Sequence, residues 1–145
     1  MTLVQRWLPF LTVAGLATGC TSIQVSPVGA DAQLENVCIQ KNDAVWVEDF
    51  LEVLQAGFYR HGVPVEVVQG RSVPSHCEFV VTYTARQTWD LTPYLSEAEI
   101  SIYRNGQQVA VAKYHLKGKG GLSPKKWQGT ATKMNPVIDE LLREY

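Results

Sequence analysis

Asn105-Gly106, set between two runs of alternating branched apolar residues, constrains this chain more than any other pair in it. Asn-Gly between such runs is the strongest short-range signal for a two-residue hairpin, because both positions must adopt positive φ. Leu95–Arg104 and Gln107–Lys117 are therefore expected to pair antiparallel. A plain two-residue turn sets Ile102 opposite Val109 and Ile100 opposite Val111. The same register carries Lys113 and His115 onto the apolar face and turns Tyr114 and Leu116 away. Either a bulge resets the pattern near Ala112, or the second face of the sheet is partly covered.

The rest of the pattern is built around that hairpin. Cys77–Arg86 alternates Phe79, Val81, Tyr83 and Ala85 with Val80, Thr82 and Thr84, as a central strand would. Trp89–Tyr94 reads as a loop. Asn36–Gln40 and Val63–Val68 read as short strands, the latter moved to an edge or delayed by Pro64. Val47, Phe50, Leu51, Leu54, Gly57 and Phe58 recur at helical spacing, with Asn42 or Asp43 as cap and Gly62 just past the end. Met134, Val137, Ile138, Leu141, Leu142 and Tyr145 form a second stripe; a start near Lys133, capped by Thr132, leaves Pro136 in the first turn. The order β-α-β-β-β-β-α predicts a two-layer α+β domain: a mostly antiparallel sheet of about five strands with two amphipathic helices on one face.

At the other end of the chain, Leu16-Ala17-Thr18-Gly19-Cys20 follows an eleven-residue apolar run, Trp7–Ala17, preceded by Arg6. Small residues directly before a cysteine are what a lipoprotein signal peptidase reads. A membrane-spanning helix needs roughly 20 apolar residues, so the run fits a leader instead. Residues 1–19 are expected to be removed and Cys20 acylated, with residues 20–33 as a tether and 34–145 as a single periplasmic domain. Ile23 and Val25 alternate with polar neighbours and could make a short edge strand. Several acyl chains give lasting membrane residence where one does not. Thr21 follows the cysteine in place of the aspartate that retains lipoproteins in the inner membrane, which points to the outer membrane.

The remaining cysteines, Cys38 and Cys77, are expected to pair in an oxidising compartment; two free thiols or half a metal site are the alternatives. Without Arg6, 12 basic side chains face 14 acidic ones, a balance that argues against nucleic acid as a partner.

The lipobox together with Asp49-Phe50-Leu51, Gly57-Phe58-Tyr59-Arg60-His61-Gly62, Thr82-Tyr83-Thr84-Ala85, Trp89-Asp90 and Pro93-Tyr94-Leu95-Ser96 resembles a family of small, uncharacterised lipoproteins of Gram-negative bacteria. The most specific runs are Lys117-Gly118-Lys119-Gly120-Gly121-Leu122-Ser123 and Lys133-Met134-Asn135-Pro136-Val137-Ile138-Asp139. The resemblance implies a lipid anchor and an α+β domain, and brings no catalytic residues with it. The element order also looks like that of periplasmic lipoproteins that assist lipopolysaccharide assembly or lipid transport, an analogy of fold that transfers no function.

Charge is segregated along the chain. No acidic residue lies between Glu99 and Asp139, a span that holds Arg104, Lys113, Lys117, Lys119, Lys125, Lys126 and Lys133. A glycine-rich loop bearing lysines offers N–H groups and cations to phosphates. Lys117, Lys119, Gly120, Gly121, Lys125, Lys126 and Trp127 are thus the candidate binding residues, for an anionic lipid or an acidic protein patch. The bland alternative is a solvated loop whose glycines serve backbone geometry.

Catalytic signatures are weak. The loop lacks Gly-x-x-x-x-Gly-Lys-Ser/Thr spacing. Ser123-Pro124-Lys125-Lys126 matches Ser-x-x-Lys without the companion motifs. His61, His76 and His115 stand at no metal-ligand spacing, so neither metal nor cofactor is expected. His61 reads as a dipole partner at a helix C-terminus, and Trp46, Trp89, Tyr94 and Trp127 as core or core-edge aromatics. The expected function is a non-enzymatic envelope lipoprotein that binds another envelope component, with a small-ligand or lipid carrier as runner-up.

Overall fold

The structure, a computed structural model, describes residues 21–121 and 123–145, and only the backbone of Lys119 and Gly120. The expected leader, residues 1–19, and the expected acylation position, Cys20, lie outside the described residues. Among the described residues, one six-stranded mixed sheet carries two α-helices. The strands are β1 (Thr21–Ser26), β2 (Val37–Gln40), β3 (Val65–Val68), β4 (Phe79–Asp90), β5 (Thr92–Arg104) and β6 (Gln107–Leu116). The helices are α1 (Phe50–Arg60) and α2 (Thr130–Leu141). Spatial order is β1-β6-β5-β4-β2-β3. β4, β5, β6 and β1 are antiparallel neighbours, whereas β2 runs parallel to both β3 and β4. The fold class is thus the expected α+β, with one strand more than expected and a parallel corner. The α1 crossover between β2 and β3 accounts for that corner, since parallel strands need such a connection.

The hairpin forms where Asn105-Gly106 requires it, with φ of 52° and 76° at the two positions. Its register corrects the expectation. Tyr103 faces Gln108, but Ile102 faces Ala110 and Ile100 faces Ala112, so Val109 is the extra residue of a bulge beside the turn. The bulge lies closer to the turn than Ala112, and it resolves the conflict in the pattern. Ala110, Ala112, Tyr114 and Leu116 now point into the core, while Lys113 and His115 point out to Glu99 and Glu97.

A second correction concerns residues 20–33. Thr21–Ser26 pairs along its whole length with β6, Thr21 facing Leu116, and Val28 is fully buried with its N–H on Leu141 O. Within the segment read as a tether, Thr21–Ser26 is therefore an edge strand of the sheet, as the alternation at Ile23 and Val25 allowed. A third concerns Trp89–Tyr94, which is no loop. β4 runs to Asp90 and β5 starts at Thr92, so the connection is Leu91 alone. β3 begins after Pro64 and lies at the sheet edge, both as proline dictates.

The helices also start elsewhere than expected. Asn42 caps nothing in α1. Its side chain accepts from Ala44 N and donates to Tyr83 O, pinning the chain to β4 eight residues before the helix proper. Gly62, at φ +71°, closes α1 as expected. Val63 N–H reaches Phe58 O and Gly62 N–H reaches Tyr59 O, the reciprocal C-terminal pair that a left-handed residue permits. α2 begins at Thr130, three residues early, which puts Pro136 inside the helix and removes one internal hydrogen bond. The extra turn is held by Thr130 Oγ1, which donates to Asp49 Oδ1 at 2.7 Å.

The two helices run parallel on one face. Asp49 meets Thr130, Gly57 meets Ile138, and Arg60 meets Asp139 in step along the pair. Between them and the sheet, Phe50, Leu54, Phe58, Phe79, Val81, Ile100, Ile102, Met134 and Ile138 fill the core. Cys38 in β2 and Cys77, just before β4, form a disulfide with Cα atoms 5.6 Å apart.

Candidate functional site

Sheet register defines one end of the molecule. β1 starts at Thr21 opposite Leu116, the last residue of β6. The β4–β5 hairpin continues past that level, because the last β5–β6 pair is Glu97–His115 while β4 and β5 stay paired to Asp90–Thr92. From Leu116 the chain turns into a short 3-10 helix, Lys117–Gly120, and a second one, Pro124–Trp127, packs against β5 before α2 begins. Everything the sequence marked in the glycine–lysine loop is therefore gathered here, beside the overhanging hairpin.

What the loop does first is bind this end together. Lys126 is buried. Its Nζ donates to Asp90 Oδ2 and to Gly121 O at 3.0 Å, and lies 4.3 Å from the Trp127 ring centre. Trp127 Nε1 donates to Asp90 O at 2.9 Å. Lys133, from the first turns of α2, donates to Leu95 O at 2.9 Å and to Lys126 O, with the Tyr94 ring 5.5 Å away. Its surroundings are carbonyls and an aromatic face, and burial pushes its ammonium below the ordinary lysine range. Tyr114 lies in the core beside β1. Burial raises its phenol, and a hydrogen bond with the Thr21 side chain draws it part of the way back.

Of the candidate binding residues, Lys126 is thus spent on an internal ion pair and Gly121 on supplying its carbonyl. Lys117 and Lys125 stand exposed, and Trp127 is 37% exposed. The backbone of Lys119 and Gly120 belongs to the first 3-10 helix. Sequence reasoning missed the hairpin tip. Trp89 and Leu91 are 73% and 79% exposed, and Leu91 sits at φ +61°, a conformation costly for any side chain other than glycine or asparagine. Trp46, expected near the core, is 82% exposed; Tyr94 alone of those four aromatics is buried. The legible clue was a leucine between Asp90 and Pro93, an apolar residue where turn chemistry asks for a small polar one.

Elsewhere, a groove of about 740 Å³ opens between Ala44–Trp46 and strands β4, β5 and β6. Its rim is a cross-strand charge ladder: Arg86–Glu97 at 3.4 Å and Glu99–Lys113 at 3.2 Å. At the far end of the helices, Asp139 receives Arg60 at 2.7 Å and His61 Nε2 at 3.0 Å. Burial alone would raise its carboxyl; the hydrogen bonds and charges of Arg60 and His61 outweigh that and hold it below the usual carboxylate range. His61 is thereby tied to α2 as well as to its own helix end. His76 lies beside the Cys38–Cys77 sulfurs, but those are joined to each other, and His76 Nε2 meets Glu66 at 2.8 Å. No helix among the described residues is long and apolar enough to cross a membrane.

No family model matches the chain, and no curated protein matches it. Solved structures do. The PelC dodecamer from Paraburkholderia phytofirmans aligns at a TM-score of 0.55 with 11% identity, over 85% of this chain and 97% of that one. The dodecamer of the same protein with a Leu-to-Met substitution aligns at 0.50 with 13% identity, over 80% and 98%. A minor lipoprotein from Acinetobacter baumannii aligns at only 0.29 with 13% identity, over 75% and 87%. At such identities the PelC likeness is one of fold.

Proposed function

We propose that this chain is an outer-membrane lipoprotein, acylated at Cys20, whose periplasmic domain works without catalysis by binding another envelope component. The observation that carries this reading is that Thr21, the residue directly after the expected acylation position, already belongs to the sheet. An acyl group there is fastened to the sheet itself and not to a loose linker, so the domain is presented in a fixed attitude. The lipobox supplies the address, and Thr21 in place of aspartate favours the outer membrane.

The fold likeness extends the proposal to self-assembly, since PelC is a dodecamer. The two open sheet edges, β1 and β3, lie on opposite sides of this domain, an arrangement suited to the head-to-tail contacts that close a ring. The carrier reading gains less support. The space between helices and sheet is filled by Phe50, Leu54, Phe58 and Met134, and the groove beside Trp46 is rimmed by charges.

Mass spectrometry of the protein extracted from membranes tests the anchor: the expected species begins at an acylated Cys20. An unmodified cysteine with the leader still attached would overturn it. Native mass measurement of the same material tests assembly. A multiple of the protomer mass is expected, and a monomer at all concentrations would remove the ring while leaving the anchor in place.

A further inference from the structure

We infer that the Thr21 end of the sheet lies against the bilayer itself: Trp89 and Leu91 enter the lipid interface, Trp127 sits beside them, and Lys117 and Lys125 meet lipid phosphates. The inference rests on acylation of Cys20, and three observations carry it beyond that reading. The first is distance. One residue spans at most about 3.6 Å, so an acylated Cys20 keeps Thr21 close to the glyceryl group. β5 continues about four residues, or roughly 13 Å, past the level of Thr21. The headgroup region of one leaflet is only about 5–8 Å thick. A hairpin tip that overhangs the attachment point by more than this must enter the lipid or tilt the whole domain.

The second observation is what the tip carries. Trp89 and Leu91 are among its most exposed side chains, and Leu91 occupies a left-handed backbone position that asparagine or glycine would fill at lower cost. Tryptophan is favoured at membrane interfaces, where its ring body and polar N–H meet different surroundings.

The third is charge. Asp90, the acid at the tip, is neutralised by Lys126, and Glu97 further back is paired with Arg86. Exposed Lys117 and Lys125 are then left to face the phosphates of an anionic surface. The sequence's cationic loop and the structure's apolar tip become one surface, whose occupant is the membrane to which the chain is fastened.

The test uses the protein as processed in cells and extracted from membranes, placed in vesicles of phosphatidylethanolamine and phosphatidylglycerol carrying bromine on their acyl chains. In a Trp46→Phe background, adding Trp127→Phe leaves Trp89 as reporter, and adding Trp89→Phe leaves Trp127. Both reporters are expected to be quenched by brominated lipid and shielded from aqueous acrylamide. Leu91→Ser together with Lys117→Glu and Lys125→Glu is expected to abolish the lipid quenching of Trp89. All three positions are exposed, and circular dichroism checks that the fold persists. A Trp89 that acrylamide reaches freely and bromine does not, in protein that still pellets with the vesicles, overturns the inference and spares the anchor. Protein that fails to pellet overturns the anchor reading itself.

Discussion

Gly57 of α1 lies so near Ile138 of α2 that a Cβ added to the glycine would come within 2.5 Å of Ile138 Cγ2. The parallel helices meet backbone to side chain at that point. Gly57→Ala should therefore cost about 1–3 kcal/mol through overpacking, read as a lowered denaturant midpoint at unchanged slope. Adding Ile138→Ala, which removes that Cγ2 and alone costs about 2–5 kcal/mol, should leave the double variant losing less than the sum of the two single losses. Strict additivity of the two changes would show that the contact does not set the helix spacing.

The Cys38–Cys77 bond closes a loop spanning 39 residues of sequence separation. On the chain-entropy account it stabilises the fold by about 4 kcal/mol. Cys38→Ala with Cys77→Ala should lower the unfolding free energy by roughly that amount, with the far-ultraviolet spectrum retained. A loss under about 1 kcal/mol would mean that strain in the folded state offsets most of the entropic gain.

Lys126 holds Asp90, Gly121 and Trp127 in one cluster. Lys126→Met should cost about 1–3 kcal/mol, less than a fully buried pair because Asp90 is half exposed. The change should be local. Limited proteolysis within 117–129 is expected to accelerate well before global unfolding, and unchanged cleavage there would refute the cluster's role.

Asp139 is held below the usual carboxylate range in the folded protein, so its contribution is complete above the unfolded value near 4 and fades as pH falls through the lower folded value. The group is half exposed, which limits the effect to no more than about 1 kcal/mol. Asp139→Asn should thus destabilise slightly at neutral pH, and the gap from the parent should close in acid. A gap that persists at pH 2 would assign the loss to packing.

Leu91 sits at φ +61°. Leu91→Gly should stabilise the isolated fold by about 1 kcal/mol, because glycine adopts that conformation without a Cβ clash. The same change is expected to weaken bromine quenching at Trp89. Gain of stability with loss of lipid contact would identify the leucine as retained for the surface it presents.

Much of the architecture was legible because its determinants are local. Asn105-Gly106 fixed the turn, the 3.6-residue stripes fixed both helices, and Gly62 fixed where α1 stops. The register two residues beyond the turn was not legible, since the bulge at Val109 is chosen by whether Tyr114 or Lys113 faces the helices, and that depends on what packs there. The same holds at residues 21–26. TSIQVS reads as polar linker until β6 offers its edge. At the candidate site, sequence collected the lysines but could not separate Lys126, drawn inside by Asp90, from Lys117 and Lys125, left in solvent.

By itself the sequence determined the hairpin turn, the stripes of both helices and the stop of α1, because each depends on residues a few positions apart. Only the tertiary structure decided that Thr21–Ser26 joins the sheet as an edge strand, that the β4–β5 hairpin extends past the level of Thr21, and which lysines stay in solvent. Those outcomes depend on contacts between segments tens of residues apart, whose desolvation and packing no local pattern encodes.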